Sequence, residues 1–277
     1  MTSLGAVHGI VFASLSVVAT SMHVQHKPAL SLPRISLRVD GPGDDAPRSS
    51  DDAEACGLLA RELGASVLLP TLQRTAATVL SRVLADDAMR ESLAAVSLTA
   101  RVKSPVSLLC KLRRQGLSRG ASAAEIARAA RGLKDAAAMR LVLTPRAGDE
   151  ALGEDEVCYR GFELALGPRR GRASEDDPRL AVASDGTTKD YLARPKANGY
   201  ASLHADLLAK ACPAAQRAGA WRAGAPDVPV ELQIRSARMD AVAERGAANH
   251  ATYKAAQRRR LAEAGWARYD DVALAAV

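Results

Sequence analysis

The chain has 277 residues, of which 48% are hydrophobic, and this is enough to build a core in one or two domains. Its 38 basic and 31 acidic residues give a net charge of +7, which suits an anionic partner such as a nucleotide, a nucleic acid or an anionic membrane surface. The four cysteines lie far apart, without a CxxC pair or a histidine at zinc-ligand spacing, which argues against a structural metal site and a disulfide scaffold.

The N-terminal segment has an unusual composition. Residues 1–39 contain no Asp or Glu but do contain Ser, Thr, Lys and Arg, which is typical of an organellar transit segment. A disordered tail is the alternative interpretation. The apolar run at 9–19 is too short to span a membrane, and the Gly-, Pro- and Asp-rich residues 40–53 indicate a linker. We therefore expect a targeting segment and disordered linker over residues 1–53.

Hydrophobic spacing predicts the regular elements that follow. Leu and Val recur every three or four residues from Glu54 to about Val96, which predicts helices, and Pro70 is expected to divide two of them. Residues 139–143 and 230–234 have the composition of strands. Residues 168–188 are polar and predict a long surface loop. Residues 237–263 predict a closing helix that is interrupted near Gly246.

A basic segment surrounds a predicted helix start at Ser104 and Pro105, a capping residue followed by proline at the first helical position. Three cations and a hydroxyl are expected to converge there: Arg101, Lys103, Ser107 and Lys111. Such an arrangement suits a phosphate chain, because the exposed amides and the helix dipole attract anions. An ordinary solvated basic helix is the alternative.

Two acids occur beside the predicted strands. Asp135 precedes the first strand, with Arg140 five residues later, and Glu231 lies in the second strand on the same side as Gln233 and Arg235. Carboxylates at such positions are common magnesium ligands in phosphoryl-transfer sites, and a glutamate could also accept a proton from an attacking hydroxyl. Solvent-facing polar side chains are the alternative for each position taken alone.

A dense polar and aromatic cluster occupies residues 189–204. Asn198 and Gly199 indicate a tight turn, followed at once by Tyr200 and, four residues later, by His204. With Lys196 nearby, the tyrosine could stack on a purine while the cations hold phosphate. A hairpin turn with a core tyrosine is the alternative.

These segments, in this order, resemble the synthetase domain of the RelA/SpoT family. The resemblance covers roughly residues 58–254 and rests on R-x-K-x-x-x-S-x-x-x-K at 101–111, D-x-x-G/A-x-R at 135–140, K-D-Y-x-x-x-P-K-x-N-G-Y-x-S-L-H at 189–204, E-x-Q-I-R at 231–235 and M-x-x-x-A-E-x-G-x-A-x-H-x-x-Y-K at 239–254. The chain departs from the family at Ser236, where Thr is usual, at Ala251, where Trp is common, and in residues 160–188. The hydrolase half of the bifunctional members has no counterpart here, so we expect a synthetase-only or truncated member.

The resemblance implies an α+β fold, a mixed β-sheet flanked by helices of the nucleotidyltransferase-like kind, over residues 54–255, with a helical tail over 256–277. It implies transfer of the β,γ-pyrophosphate of ATP to the 3′-hydroxyl of GDP or GTP, with Mg²⁺ as cofactor. A catalytically degenerate nucleotide-binding or regulatory module is the alternative. We expect no specific nucleic-acid partner and no membrane partner, and homo-oligomer formation is left open. Plant and algal members commonly work in the chloroplast, which we expect here, with the cytoplasm as the alternative.

The resemblance also implies a role for each site residue. Asp135 and Glu231 would bind the metal, and Glu231 would activate the attacking hydroxyl. The ATP-binding residues would be Arg101, Lys103, Ser107, Lys111 and Arg140, with the two arginines on either side of adenine. The GDP- or GTP-binding residues would be Lys196, Asn198, Tyr200, His204, Gln233 and Arg235, with Tyr200 stacked on guanine.

Overall fold

The computed structural model of the chain describes residues 33–39, 50–63, 65–147, 152–167, 180–182, 188–209 and 228–245. The helices are α1 (Ser50–Leu63), α2 (Ala65–Ala85), α3 (Asp87–Ser92), α4 (Pro105–Arg114), α5 (Ala123–Arg131), α6 (Glu154–Leu166) and α7 (Ala237–Arg245). The strands are β1 (Arg34–Val39), β2 (Leu93–Val102), β3 (Ala137–Pro145), β4 (Leu180–Val182), β5 (Lys189–Asp190), β6 (Leu203–Ala209) and β7 (Val228–Ser236).

The strands form one mixed sheet in the order β1-β2-β3-β7-β6-β4, with β5 also paired to β6. The pairs β1–β2 and β3–β7 are parallel, whereas β2–β3, β6–β7 and the pairs made by β4 and β5 are antiparallel. The two long predicted strands are confirmed as β3 and β7, which lie side by side at the centre of the sheet. The predicted α+β class is confirmed.

One face of the sheet is apolar because hydrophobic residues occupy alternate positions of the central strands. Met139, Leu141, Leu232 and Ile234 are each no more than 1% exposed and lie in the core, against which α2 and α6 pack. Helix α6 approaches the sheet closely at Gly161, where an added Cβ would lie 2.8 Å from Leu143 Cδ1. The opposite face carries the polar residues of the same strands.

The N-terminal region differs from the predicted organisation. Residues 34–39, expected within the targeting segment, form strand β1 at the edge of the sheet, and α1 begins at Ser50, inside the predicted linker. The two predicted helices are present, but they are divided near residue 64 and not at Pro70, which lies inside α2. Predicting helix to Val96 was also wrong, since β2 begins at Leu93 and a long-range pairing with β3 overrides the local pattern.

The later connections are only partly described. Strand β4 lies inside the predicted surface loop at 168–188, where it pairs with β6. Helix α7 ends at Arg245, and the predicted continuation to residue 263 lies outside the described residues, as does the predicted tail at 256–277. No single helix in the described ranges is long and apolar enough to cross a membrane; α1 and α2 meet that criterion only as a pair bent by 43°.

Candidate active site

The polar face of the sheet brings the predicted site residues together through strand register. In one row, Arg101 of β2 is paired with Ala138 of β3, which is paired with Glu231 of β7. In the next row, Arg140 is paired with Gln233, and Gln233 with His204 of β6. Residues paired across neighbouring strands point to the same face, so these polar side chains share one surface.

The start of α4 closes one end of this face. Ser104 caps the helix, its Oγ accepting a hydrogen bond from the Ser107 amide at 3.2 Å, and Pro105 follows at the first helical position, as predicted. The cap residue also donates its hydroxyl to Ser107 Oγ at 3.0 Å. The Lys103 amide donates to the Ala136 carbonyl at 3.0 Å, which ties the entry to α4 to the start of β3.

Asp135 is the meeting point of the two lysines that were predicted to bind phosphate. Lys103 Nζ contacts Asp135 Oδ2, and Lys111 Nζ contacts Oδ1. Burial raises the pKa of Asp135, but the hydrogen bonds from the two ammonium groups outweigh it, so the net pKa lies below its ordinary value. The carboxylate is therefore ionised at neutral pH and holds two cations on one side of the site.

Glu231 lies in a second polar cluster on the adjacent strands. Its Oε1 is 3.5 Å from His204 Nδ1, and its Oε2 accepts a hydrogen bond from Gln233 Nε2 at 2.9 Å. Burial raises the pKa of Glu231, but the interactions with His204 and Gln233 outweigh it and lower the net pKa. Asp135 acts in the opposite direction, since its negative charge raises the pKa of Glu231.

A turn built by Lys196, Asn198 and Gly199 positions Tyr200. The Gly199 amide donates to the Lys196 carbonyl at 2.8 Å, and Gly199 adopts a φ of 78°, which glycine accepts without steric cost. Asn198 Oδ1 accepts from the Tyr200 amide at 3.2 Å. The predicted tight turn is thus present, and the Asn198 side chain stabilises it.

Tyr200 is surrounded by cations and rings. Its hydroxyl lies 2.8 Å from His204 Nε2, and its ring meets that of Tyr191 edge to face at 5.9 Å. Lys196 Nζ lies 4.9 Å from the ring centroid, and the Arg235 guanidinium carbon 5.7 Å from it. Burial raises the pKa of the Tyr200 hydroxyl, so it is protonated at neutral pH. Tyr191 belongs to the K-D-Y motif but was not predicted to be a site residue.

Helix α7 supplies two acids that contact the predicted nucleotide-binding arginines. Glu244 Oε1 lies 2.6 Å from Arg140 Nη1 and 3.7 Å from Arg235 Nη2. Asp240 Oδ1 lies 3.1 Å from Arg235 Nε and 3.5 Å from Arg140 Nη1. Asp240 was not predicted to be a site residue, although its spacing of four residues from Glu244 places both on one face of a helix.

Two carboxylates with phosphate oxygens as further ligands suit a hard cation such as Mg²⁺. Asp135 and Glu231 are acids of this kind. When a metal binds Asp135, Lys103 and Lys111 could exchange their contacts with its carboxylate for contacts with phosphate oxygens. Within the described residues no cluster of three or more His, Cys, Asp or Glu side chains could hold a metal ion. The residues present fit a metal of this class.

Comparison with known proteins identifies relatives of this chain. Residues 100–258 match the model of a region found in RelA/SpoT proteins. The chain is 31% identical over 180 residues to a chloroplastic GTP diphosphokinase, CRSH3, of Oryza sativa subsp. japonica, a match covering 64% of this chain and 26% of the rice protein. It is 45% identical over 103 residues to the bifunctional (p)ppGpp synthase/hydrolase SpoT of Escherichia coli K12, covering 37% and 11% respectively.

A solved structure is also similar to the chain, although more distantly. The small alarmone synthetase 1 of Bacillus subtilis bound to pppGpp superposes with a TM-score of 0.39 at 20% identity, covering 80% of this chain and 90% of the other. The chain spans about a quarter or less of the length of the rice and E. coli relatives.

Proposed function

Because the chain belongs to the RelA/SpoT family, we propose that it is a (p)ppGpp synthetase, which transfers the β,γ-pyrophosphate of ATP to the 3′-hydroxyl of GDP or GTP. One observation carries the proposal. Two ionised carboxylates have different surroundings: Asp135, just before β3, contacts two lysines, and Glu231, in β7, lies near a histidine that contacts a tyrosine. This division suits a donor triphosphate on one side and an acceptor purine nucleotide on the other.

The donor side takes the triphosphate of ATP. Lys103 and Lys111 already converge on one anionic group, Asp135, and phosphate oxygens offer the same kind of acceptor. Ser107 lies in the first turn of α4, where backbone amides and the helix dipole favour an anion. Arg101 and Arg140 point to the same face from adjacent strands, and their planar guanidinium groups can stack on the adenine base.

The acceptor side takes GDP or GTP. Tyr200 offers a ring for stacking on guanine, and Lys196, which is exposed, lies above that ring, where it can contact phosphate as well. His204 and Arg235 contribute further donors beside the ring. Gln233 donates a hydrogen bond to the Glu231 carboxylate, whose other oxygen lies 3.5 Å from His204 Nδ1.

In the chemical step, the 3′-oxygen of the acceptor forms a bond to the β-phosphorus of ATP. The bond between that phosphorus and the oxygen bridging to the α-phosphate breaks, AMP leaves, and the hydroxyl proton passes to Glu231. A divalent cation, held by Asp135 and Glu231, would neutralise the phosphate charge that develops. Because the lowered pKa makes Glu231 a weak base, the chain contributes mainly by positioning the substrates and neutralising charge.

Incubation of the purified chain with ATP, GDP and MgCl₂, followed by chromatography of the nucleotides, tests the proposal. We expect AMP and a 3′-pyrophosphorylated guanosine nucleotide in equal amounts, and no product with EDTA or with Glu231→Gln. A parallel reaction with GTP measures the preference between acceptors. Tight binding of both nucleotides without product would contradict synthesis and favour the alternative of a catalytically degenerate nucleotide-binding module.

We also propose that the chain works in a chloroplast. The residues ahead of β1 contain Ser, Thr and Lys but no Asp or Glu, as is typical of a transit segment, and the rice relative described above is chloroplastic by name. Fusion of residues 1–55 to a fluorescent protein tests this, and a diffuse cytosolic signal would contradict it.

Light scattering of the purified chain decides whether it forms a homo-oligomer.

A further inference from the structure

Helix α7 joins the two nucleotide-binding arginines through a pair of carboxylates. Asp240 lies within 3.5 Å of both Arg140 and Arg235, which come from neighbouring strands. Glu244 makes its short contact with Arg140 alone, at 2.6 Å, and stands 3.7 Å from Arg235. The two acids thus differ in what they hold, since Asp240 bridges the arginines and Glu244 mainly holds Arg140.

Arg235 depends on this pair because it is buried. Its side chain is 1% exposed, and within the described part of the chain its Nε and Nη1 have no hydrogen-bond partner. Although Nε lies 3.1 Å from Asp240 Oδ1, their orientation gives an ion pair without a hydrogen bond. A buried guanidinium is costly unless compensated, so the carboxylates of α7 offset its charge while leaving donors unused.

The helix that carries these acids is itself anchored. Ser236 Oγ accepts a hydrogen bond from the Met239 amide at 3.1 Å, which caps the start of α7, and the same hydroxyl contacts Glu154 at the start of α6. Arg238 adds a hydrogen bond to Glu154 at 2.7 Å. The acids are therefore presented from a helix with a fixed start.

We propose that Asp240 and Glu244 are positioning residues that orient Arg140 toward ATP and Arg235 toward the guanine nucleotide, with Asp240 coupling the two sites. This inference rests on the proposed function for the identity of the two nucleotides. Arg140 has its Nη1 held by both acids, and its side chain is 24% exposed, so it is accessible to a ligand in part. Arg235 is held beside Tyr200, so its position affects the acceptor side.

The two acids predict different patterns of binding. Asp240→Asn should weaken binding of GDP and of a non-hydrolysable ATP analogue alike, roughly tenfold each, as expected for losing one oriented charge-assisted contact. Glu244→Gln should weaken binding of the ATP analogue by a similar factor while changing GDP binding less than about twofold. Calorimetric titration of the intact chain with each nucleotide, in Mg²⁺, measures the four dissociation constants.

A matched control separates positioning from stability. Asp52 and Arg113 form another partly buried ion pair, at 2.9 Å between α1 and α4, so Asp52→Asn should lower the melting temperature without changing either dissociation constant. Wild-type binding constants in both α7 variants, or tighter binding of the ATP analogue by Glu244→Gln, would overturn the proposal. Because binding is measured without turnover, absence of product from the wild-type chain would reject synthesis and still leave the positioning test decisive.

Discussion

The two faces of the sheet are built from the same strands but have different roles. On β7, Leu232 points into the core and is fully buried, whereas its neighbour Glu231 points to the polar face and contacts His204 and Gln233. Burial of apolar area stabilises the first face, while the second collects charges that must be held apart or neutralised. Stability and chemistry are therefore separated by a single residue step along a strand, and substitutions can test that separation.

The largest expected effect is on catalysis. Glu231→Gln preserves the side chain's shape but removes the charge, so we expect the proposed synthesis to fall by at least about 10²–10⁴, with a larger loss if the metal is lost as well. The melting temperature should change little. Product chromatography and thermal unfolding measure the two quantities, and near-normal turnover in a folded variant would show that Glu231 is not the base or a metal ligand.

Leu232→Ala, one residue away, should lower stability and leave activity nearly unchanged. Truncation of a fully buried leucine costs about 2–5 kcal/mol of unfolding free energy, from lost apolar burial and the cavity that remains. Urea denaturation measures this loss. Activity per folded molecule, assayed well below the melting temperature, should stay close to wild type. A loss of activity without a loss of stability would show that the faces are not independent.

Tyr200→Ala tests the acceptor part of the polar face. Removing a stacking ring should weaken GDP binding by about 1–3 kcal/mol and leave ATP binding nearly unchanged. Tyr200→Phe is the matched control, since it keeps the ring and loses only the hydroxyl that contacts His204 Nε2 at 2.8 Å. Titrations with each nucleotide distinguish the outcomes. If ATP and GDP binding weaken equally in Tyr200→Ala, the tyrosine supports the structure and does not recognise the base.

A further expected effect concerns stability against acid. The net pKa of Asp135 lies below its ordinary value of 3.8, so its ion pairs stabilise the fold above that pH and are lost as the pH falls through the lowered pKa. Asp135→Asn should cost about 1–3 kcal/mol at pH 7, where two lysines lose their common partner. The difference in unfolding free energy between Asp135→Asn and wild type, measured by urea denaturation, should become smaller below about pH 3.8.

A surface ion pair provides the control for that experiment. Asp87 and Arg90 form a pair in which the aspartate side chain is 80% exposed. Asp87→Asn should change the unfolding free energy by less than about 1 kcal/mol at any pH, because water and salt screen such a pair. A constant difference between Asp135→Asn and wild type across the acid range would contradict the role given to the lysines.

Local pattern predicted the polar face well because its residues alternate along two strands. Glu231, Gln233 and Arg235 follow the period of a strand, and Ser104 with Pro105 marks the start of α4, so each could be placed without knowledge of its partners. The convergence of the lysines on Asp135 could not be predicted from spacing, since contacts across 24 and 32 residues depend on the whole sheet.

Long-range pairing also explains what sequence reasoning missed. Arg34 of β1 is aligned with Ser97 of β2, a parallel partner 63 residues away. Ile35, Leu37 and Val39 alternate with polar residues, which is the local pattern of a strand, but the composition of residues 1–39 favoured a transit segment instead. Asp240 resembles an ordinary solvated acid on a helix until the fold places Arg140 and Arg235 beneath it. In both cases the deciding contact comes from another element.

Strand β1 has a consequence for any shortened form of the protein. Its six residues cover one edge of β2 from Ser97 to Val102. They precede residues 40–53, whose linker-like composition makes them an obvious place to shorten the chain. A protein cut at residue 53 would retain the residues of the proposed site. It would also expose a row of backbone donors and acceptors on β2, and such an open edge promotes self-association. A chain that retains residues 34–39 keeps that edge covered.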